Sequence, residues 1–319
     1  MVQLINPYNK EKLVKQATGH LADRSGAVFE FKHGAYRFVD SANYADNFSF
    51  QWNLFDKVQL DNHSQSNISR ERFFGVTGWD KNNLKGKDLL EVGSGAGRFS
   101  QVVLQHTEAN LYSVDYSNAV EANFNNNGPH ERLHLFQASI YDLPFAKASF
   151  DKVFCFGVLQ HTPDFEKSIA CLVDMVKPGG ELVVDFYPIL GWWTKLHAKY
   201  LFRPFTRKMA PEKLYSLINT HAGWLIKLSK TLHNIGLGAF TRFLPICDIR
   251  NTLPKNLSKK QLREWVVLDT FDMFSPRYDN PQKVSMVVSW FKKYGMKNVS
   301  GGAVTYYQDL KCYYVKGCK

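Results

Sequence analysis

The sequence predicts a doubly wound α/β domain on a mostly parallel sheet, preceded by a small N-terminal cap and interrupted by a mainly helical insertion. Three observations predict it. From Lys87 onward, short apolar runs rich in strand formers alternate with segments of helical period, the pattern of βαβ units. The first run, "KDLLEVG", leads straight into a glycine-rich strand-to-helix turn, "GSGAG". The alternation stops at Pro188 and resumes with "KVSMVVSWFKKYG", a gap far too long for a connecting loop.

Residues 27–39, "AVFEFKHGAYRFV", read as a hairpin around a Lys-His-Gly turn. Residues 43–56, "NYADNFSFQWNLFD", are dense in aromatics and read as a short helix and loop lying over something. The core then alternates: "KDLLEVG" strand, "GRFSQVVLQHT" helix, "NLYSVDYS", "ERLHLFQASI" and "FDKVFCFG" strands, "FEKSIACLVDMV" helix, "GELVVDFYP" strand. "NVSGGAV" and "DLKCYYVKG" supply two more strands at the C-terminus. The expected division is 1–62 for hairpin and aromatic cap, 63–187 for the core, 188–268 for a basic helical lid insertion, and 269–319 for the part that completes the sheet.

No stretch of about eighteen apolar residues predicts a transmembrane helix, and the N-terminus lacks the apolar core of a signal peptide. Cys155, Cys171, Cys247, Cys312 and Cys318 are scattered, with no CxxC pair, which argues against a disulfide framework or zinc ribbon and favours a reducing cytoplasm. The net charge of +11 is unevenly placed. Residues 188–260 hold 13 basic residues against two acids, Glu212 and Asp248, so the excess is local. Such a segment implies a local anionic partner: a membrane surface, a phosphorylated substrate or nucleic acid.

Gly93, Gly95 and Gly97 form GxGxG; the dinucleotide fingerprint would need a glycine where the chain has Arg98. Glu91, just ahead of the turn, would repel a pyrophosphate but suit an ammonium. Asp115, twenty residues after Gly95 at the end of "LYSVD", sits where an acid accepts both ribose hydroxyls of an adenosine. Taken singly, the glycines fit a purely structural turn and Asp115 a solvated loop acid.

Five segments in order, "DLLEVGSGAGRFS", "SVDYS", "QASIYDLPF", "SFDKVFCFGVLQHTPD" and "VKPGGELVV", resemble the class I S-adenosylmethionine-dependent methyltransferases. The resemblance covers residues 88–184. It implies a Rossmann-like seven-stranded sheet with the last strand antiparallel, S-adenosylmethionine as cofactor and S-adenosylhomocysteine as product. Carried over by position, it implies cofactor contacts from Glu91, Gly93, Ser94, Gly95, Gly97, Asp115, Tyr116, Phe156 and Gly157. Where the family often has an Asp beside adenine, this chain has Ser139, with Ile140 to pack on the ring. "NYADNFSFQWN" resembles an aromatic segment that closes over the cofactor in a bacterial subgroup acting on small molecules or glycans, which makes Tyr44, Phe50, Gln51 and Trp52 candidates for that cover, with Arg72 of "SRERFFGVTGW" beside them, Trp52 on the cofactor and Tyr44 and Gln51 reaching the acceptor; a hydrophobic staple of the N-terminal cap fits the same residues. "LDTFDMFSPRYDNPQ" looks like the same subgroup and brings Arg277, Tyr278 and Asp279 to the border of the acceptor pocket.

Methyl transfer needs alignment, exclusion of water and, for an alcohol or phenol, a base. His161 in "GVLQHTPD" is the candidate base and Tyr187 a second polar group near the mouth; both also fit structural roles. The motif of amino-methylating DNA enzymes, a Pro-Cys nucleophile and clustered acids for a metal are all lacking in the sequence, so no metal is expected. The expected acceptor is a small molecule or a glycan, lipid-linked ones included, methylated on oxygen. An RNA methyltransferase and a non-catalytic cofactor-binding partner protein are the alternatives, with nucleic acid ranked last among substrates. Leu214, Leu217, Ile218, Trp224, Leu225, Leu228 and Leu232 recur at helical spacing, with Lys213, Lys227 and Lys230 largely off that stripe. A lid over the site and a peripheral contact with the inner membrane face both fit this pattern.

Overall fold

The computed structural model describes residues 2–40, 43 and 45–319. Its main sheet has nine strands: β1 (Phe31–Lys32), β2 (Ala35–Arg37), β3 (Asp88–Val92), β4 (Asn110–Asp115), β5 (Leu133–Gln137), β6 (Phe150–Phe156), β7 (Val176–Phe186), β8 (Lys297–Tyr306) and β9 (Leu310–Cys318). They lie in the order β8-β9-β7-β6-β3-β4-β5-β2-β1. Strands β3 to β7 pair in parallel, and β9 enters antiparallel between β7 and β8. Seven strands therefore follow the expected plan. The hairpin adds two more because β2 pairs in parallel with β5 at the open edge. Its turn is His33-Gly34, both at positive φ, the two-residue geometry that matches strand twist. Val28–Phe29, expected in that hairpin, instead pairs with Leu21–Ala22 in a separate three-stranded sheet.

The helices are α1 (Asp46–Leu54), α2 (Ile68–Thr77), α3 (Arg98–His106), α4 (Ala119–Asn127), α5 (Phe165–Met175), α6 (Ala198–Thr206), α7 (Pro211–Asn234), α8 (Lys259–Phe274) and α9 (Val284–Lys293), besides shorter turns. Strand alternation divides the core. Leu90 and Val92 face the cluster that holds Ile169 and Leu172 of α5 and Val287 and Phe291 of α9. Leu89 faces the opposite cluster, with Phe73 of α2 and Val102 and Val103 of α3.

Leu214, Ile218 and Ala222 of α7 pack on Val267, Leu268 and Phe271 of α8 and on Phe55, just beyond α1. Insertion and aromatic cap thus share one apolar cluster above the sheet. Leu217 and Trp224, expected on that buried stripe, are 46% and 53% exposed. At about 100° per residue they lie roughly a quarter turn or more from the centre of the buried arc, and among the described residues that side stays exposed. The expected boundary at 268 falls inside α8. A capping box between Ser258 and Gln261 starts that helix and it runs unbroken to Phe274, so the chain rejoins the sheet at the Pro188–Gln282 bridge.

Candidate active site

A cavity of about 580 Å³ opens at the carboxyl ends of β3, β4, β6 and β7, the place where open α/β sheets receive ligands. Gly93 to Ala96, Asp115, Tyr116, Ile140, Phe156, Gly157, His161 and Tyr187 line its sheet side. Phe48, Gln51 and Trp52 of α1 and Asp269 and Asp272 of α8 line the cover.

The glycine turn is shaped by close neighbours. A Cβ on Gly95, at φ +52°, would stand 3.0 Å from the Trp52 ring, so the indole lies directly on the turn. Gly97 is off the cavity wall. It caps α3 at φ +85°, and a Cβ there would meet Asn123 Oδ1 at 2.2 Å; its glycine serves packing. Asp115 Oδ2 accepts the Gly95 N–H at 2.8 Å, while Oδ1 accepts from the Ser117 N–H and O–H at 2.8 and 2.7 Å. Burial raises its carboxyl above the ordinary value.

Three buried side chains on this wall hold polar atoms with no hydrogen-bond partner among the described residues: both amide atoms of Gln51, Ser94 Oγ and His161 Nε2. Gln51 is fully buried. Native interiors leave few such groups, so three around one cavity point to a ligand that completes them. His161 Nδ1 lies 3.1 Å from the Tyr278 carbonyl. An acceptor there selects the Nδ1–H tautomer and leaves the lone pair on Nε2. Burial pushes the imidazole pKa down, against the pull of Asp272 and Asp279. Asp272 Oδ2 sits 4.0 Å from Nε2 and accepts the Tyr187 hydroxyl at 3.0 Å. Tyr187 is 40% exposed at the mouth, and desolvation on its cavity side, with Asp272 beside it, raises the phenol well above its usual value.

The sequence reading missed Asp269 and Asp272, whose only signal was their three-residue spacing on one face of α8. Burial and the Asp272 charge push Asp269 up to about 8, and Gln59 Nε2 donates to it at 3.3 Å. Arg72 donates twice to Asp185 Oδ2, from Nε at 3.0 Å and Nη2 at 2.7 Å. Asp185 Oδ1 accepts the Gly157 N–H at 2.6 Å. Among the described residues, no group of three or more His, Cys, Asp or Glu side chains is arranged to hold a metal ion.

Several expected contacts are not brought to the wall. Ser139 turns its hydroxyl to the Tyr141 N–H at 3.1 Å, leaving its neighbours Ala138 and Ile140 on the cavity. Arg277 is exposed and lies over the Tyr278 ring, and Tyr278 contributes its carbonyl rather than its ring. Asp279 pairs with Lys199 at 2.7 Å. Phe50 packs on Phe271 and Tyr215 instead of the cavity. Tyr44 lies outside the described residues. Glu91 points away too: Ser100 and Ser113 donate to its Oε2 at 2.5 and 2.8 Å, behind the glycine turn.

Burial raises the Glu91 carboxyl to about 7 despite those two donors. The folded state then holds a proton that the unfolded chain releases from about 4.5 upward, so stability is lost as pH rises through that window. Glu91→Gln, which keeps an acceptor but no charge, is expected to gain on the wild type by up to about 3 kcal/mol between the two ends of the window. Urea midpoints at pH about 4.5 and about 8 read this; parallel profiles would show that Glu91 is not the group.

A methyltransferase-domain family model matches residues 90–184. Over 111 residues, 34% of this chain, the sequence is 31% identical to a tRNA U34 carboxymethyltransferase of Nautilia profundicola, covering 37% of that protein. Over 101 residues, 31% of this chain, it is 32% identical to a ubiquinone biosynthesis O-methyltransferase of Coxiella burnetii, covering 43% of it. The chain spans less than half the length of these curated relatives. Among solved structures, a phosphoethanolamine N-methyltransferase 2 of Haemonchus contortus aligns with 87% of this chain and 60% of its own, at 12% identity and a TM-score of 0.49. The glycine turn, the Asp115 strand tip and the His161 segment all fall within the matched stretch, so residues 90–184 are similar in sequence to a methyltransferase domain.

Proposed function

We propose that the protein moves a methyl group from S-adenosylmethionine to an oxygen of a small molecule or glycan, with His161 as general base and no metal. The supporting observation is His161 itself. It is a buried, neutral-favouring imidazole whose Nε2 lone pair is unpartnered on the wall of the cavity above the glycine turn. The residues present fit the cofactor: Gln51 and Ser94 have unmet polar atoms, Asp115 closes the second strand, and Trp52 and Ile140 offer apolar faces. When bound, S-adenosylmethionine supplies an electrophilic sulfonium methyl. His161 Nε2 would take the acceptor's proton, Tyr187 and Asp272 would orient that hydroxyl, and α1 with α8 would keep water out. The Coxiella relative, named for O-methylation, agrees with this reading; the Nautilia relative, named for tRNA, keeps RNA as a second acceptor class.

The test follows methyl-labelled S-adenosylmethionine into small-molecule, lipid, polysaccharide and nucleic-acid fractions of the source cell. Label in nucleic acid would overturn the acceptor class, and label in none, with cofactor still bound, would favour a non-catalytic binding protein. Asp115→Ala is expected to weaken S-adenosylmethionine binding by about 1–3 kcal/mol, roughly 5- to 150-fold, because hydroxyls lose a charged acceptor. Titration calorimetry measures it, and unchanged affinity would remove Asp115 from the ribose.

A further inference from the structure

Thirteen of the twenty exposed large apolar side chains among the described residues fall within residues 190–243. Trp192 is 82% exposed, and Leu201 and Phe205, one turn apart on α6, are 68% and 72% exposed. Leaving such groups in water forfeits their burial energy, and a concentration of them marks a contact surface. Two of its turns are tied together. Arg242 donates to the carbonyls of Trp193 and Leu196 at 2.5 and 2.7 Å, clasping the 192–196 turn to the 238–243 turn that carries Phe240. Cations lie along the same segment: Lys195, Arg207, Lys208, Lys213, Lys227 and Lys230 are all exposed, and none has a carboxylate partner among the described residues.

We propose that this face docks on an anionic lipid bilayer, its tryptophans, leucines and phenylalanines entering the headgroup boundary and its lysines and arginines meeting lipid phosphates. The composition separates this occupant from RNA. Base stacking uses aromatic rings, whereas Leu190, Leu196, Leu201, Ile235 and Leu237 are aliphatic and exposed as well. Aliphatic and aromatic burial combined with cationic flanks is the chemistry of interfacial binding. No helix among the described residues is long and apolar enough to cross a membrane, so the contact is peripheral. Its place relative to the site is specific. Thr194 and His197 line the cavity, while Trp192, Trp193 and Leu196 beside them face outward, so docking sets the cavity mouth at the lipid surface. The docking deepens the acceptor reading above: it brings an acceptor carried on a lipid within reach.

The test is co-sedimentation of the full chain with vesicles of phosphatidylcholine alone and of phosphatidylcholine mixed with phosphatidylglycerol. The expected result is binding to the anionic vesicles, weakened by salt, with tryptophan fluorescence quenched by brominated lipid. The triple variant Trp192→Ser, Phe205→Ser, Phe240→Ser should lower the partition coefficient at least about tenfold. Arg207→Glu with Lys208→Glu should abolish the preference for anionic vesicles. Affinity for S-adenosylmethionine in both variants, measured without lipid, should stay at the wild-type value, which separates loss of docking from loss of the site. Absence of binding to either vesicle would overturn the proposal, as would a dimer in solution that the triple variant converts to monomer, or polyribonucleotide binding that displaces the vesicles.

Discussion

His161→Ala is expected to lower kcat by about 10²–10⁴-fold while leaving the S-adenosylmethionine dissociation constant close to the wild-type value. The expectation follows from which nitrogen is free. Nδ1 is committed to the Tyr278 carbonyl at 3.1 Å, so the proton resides there and Nε2 presents a lone pair to the cavity. Burial lowers the imidazole pKa, and the base form is already the populated one at neutral pH. The sign of the pH dependence is then fixed. A base must be unprotonated to act, so kcat/KM stays flat through neutral pH and falls only as pH drops below the ordinary histidine value of 6.5. That acid limb should vanish from the residual activity of the variant. Rates are measured on the acceptor fraction that takes the methyl label, with thermal unfolding of the same variant recorded alongside. A variant with wild-type kcat, or one whose loss of rate merely tracks a lower melting temperature, would return His161 to a structural role beneath Phe48 and Tyr187, whose rings flank it.

The parts of this site that were legible in the sequence are those whose geometry is local. A strand that must be buried, a turn that must have glycine and an acid at the next strand tip lie within 28 residues of one another, 88 to 115, and each has one way to fit the sheet. Glu91 shows the limit. Strand alternation puts it on the same side as Leu89, and Leu89 faces α2 and α3, so Glu91 had to turn toward Ser100, away from the cavity. The period was available; the side on which each helix would pack was not. Ser139 and Arg277 lie outside helices and strands, where no period sets direction: the Tyr141 N–H holds the Ser139 hydroxyl, and Arg277 lies over the Tyr278 ring. Asp272 and Asp269 reach the cavity from far along the chain because α7 and α8 pack together over α1, a long-range result that no local pattern encodes. The exposed stripe of α7 has the same origin: the spacing identified apolar positions, but which of them met α8 depended on a partner helix.

Arg72→Ala is expected to destabilise the folded state by about 3–5 kcal/mol. Asp185 is 1% exposed, and the two bonds from the Arg72 guanidinium are what offset the cost of burying its carboxylate. Removing the arginine leaves that charge, among the described residues, with only the Gly157 N–H, a single neutral donor. Arg72→Lys keeps the charge but cannot make the paired approach of Nε and Nη2 to one oxygen, so it should fall between the wild type and the alanine variant. The decisive measurement is a double-mutant cycle by urea unfolding. If the penalty is an orphaned carboxylate, adding Asp185→Asn to Arg72→Ala should restore much of the loss, and the coupling energy should exceed about 1 kcal/mol. Additive effects would instead mean that Arg72 acts through its packing on Phe99. The same pair holds the tip of β6, because Gly157 at the cavity wall is fastened to Asp185. Cofactor affinity should therefore fall together with stability in Arg72→Ala, whereas in His161→Ala it should not. That contrast separates residues that hold the strand tips in place from one that acts on the acceptor.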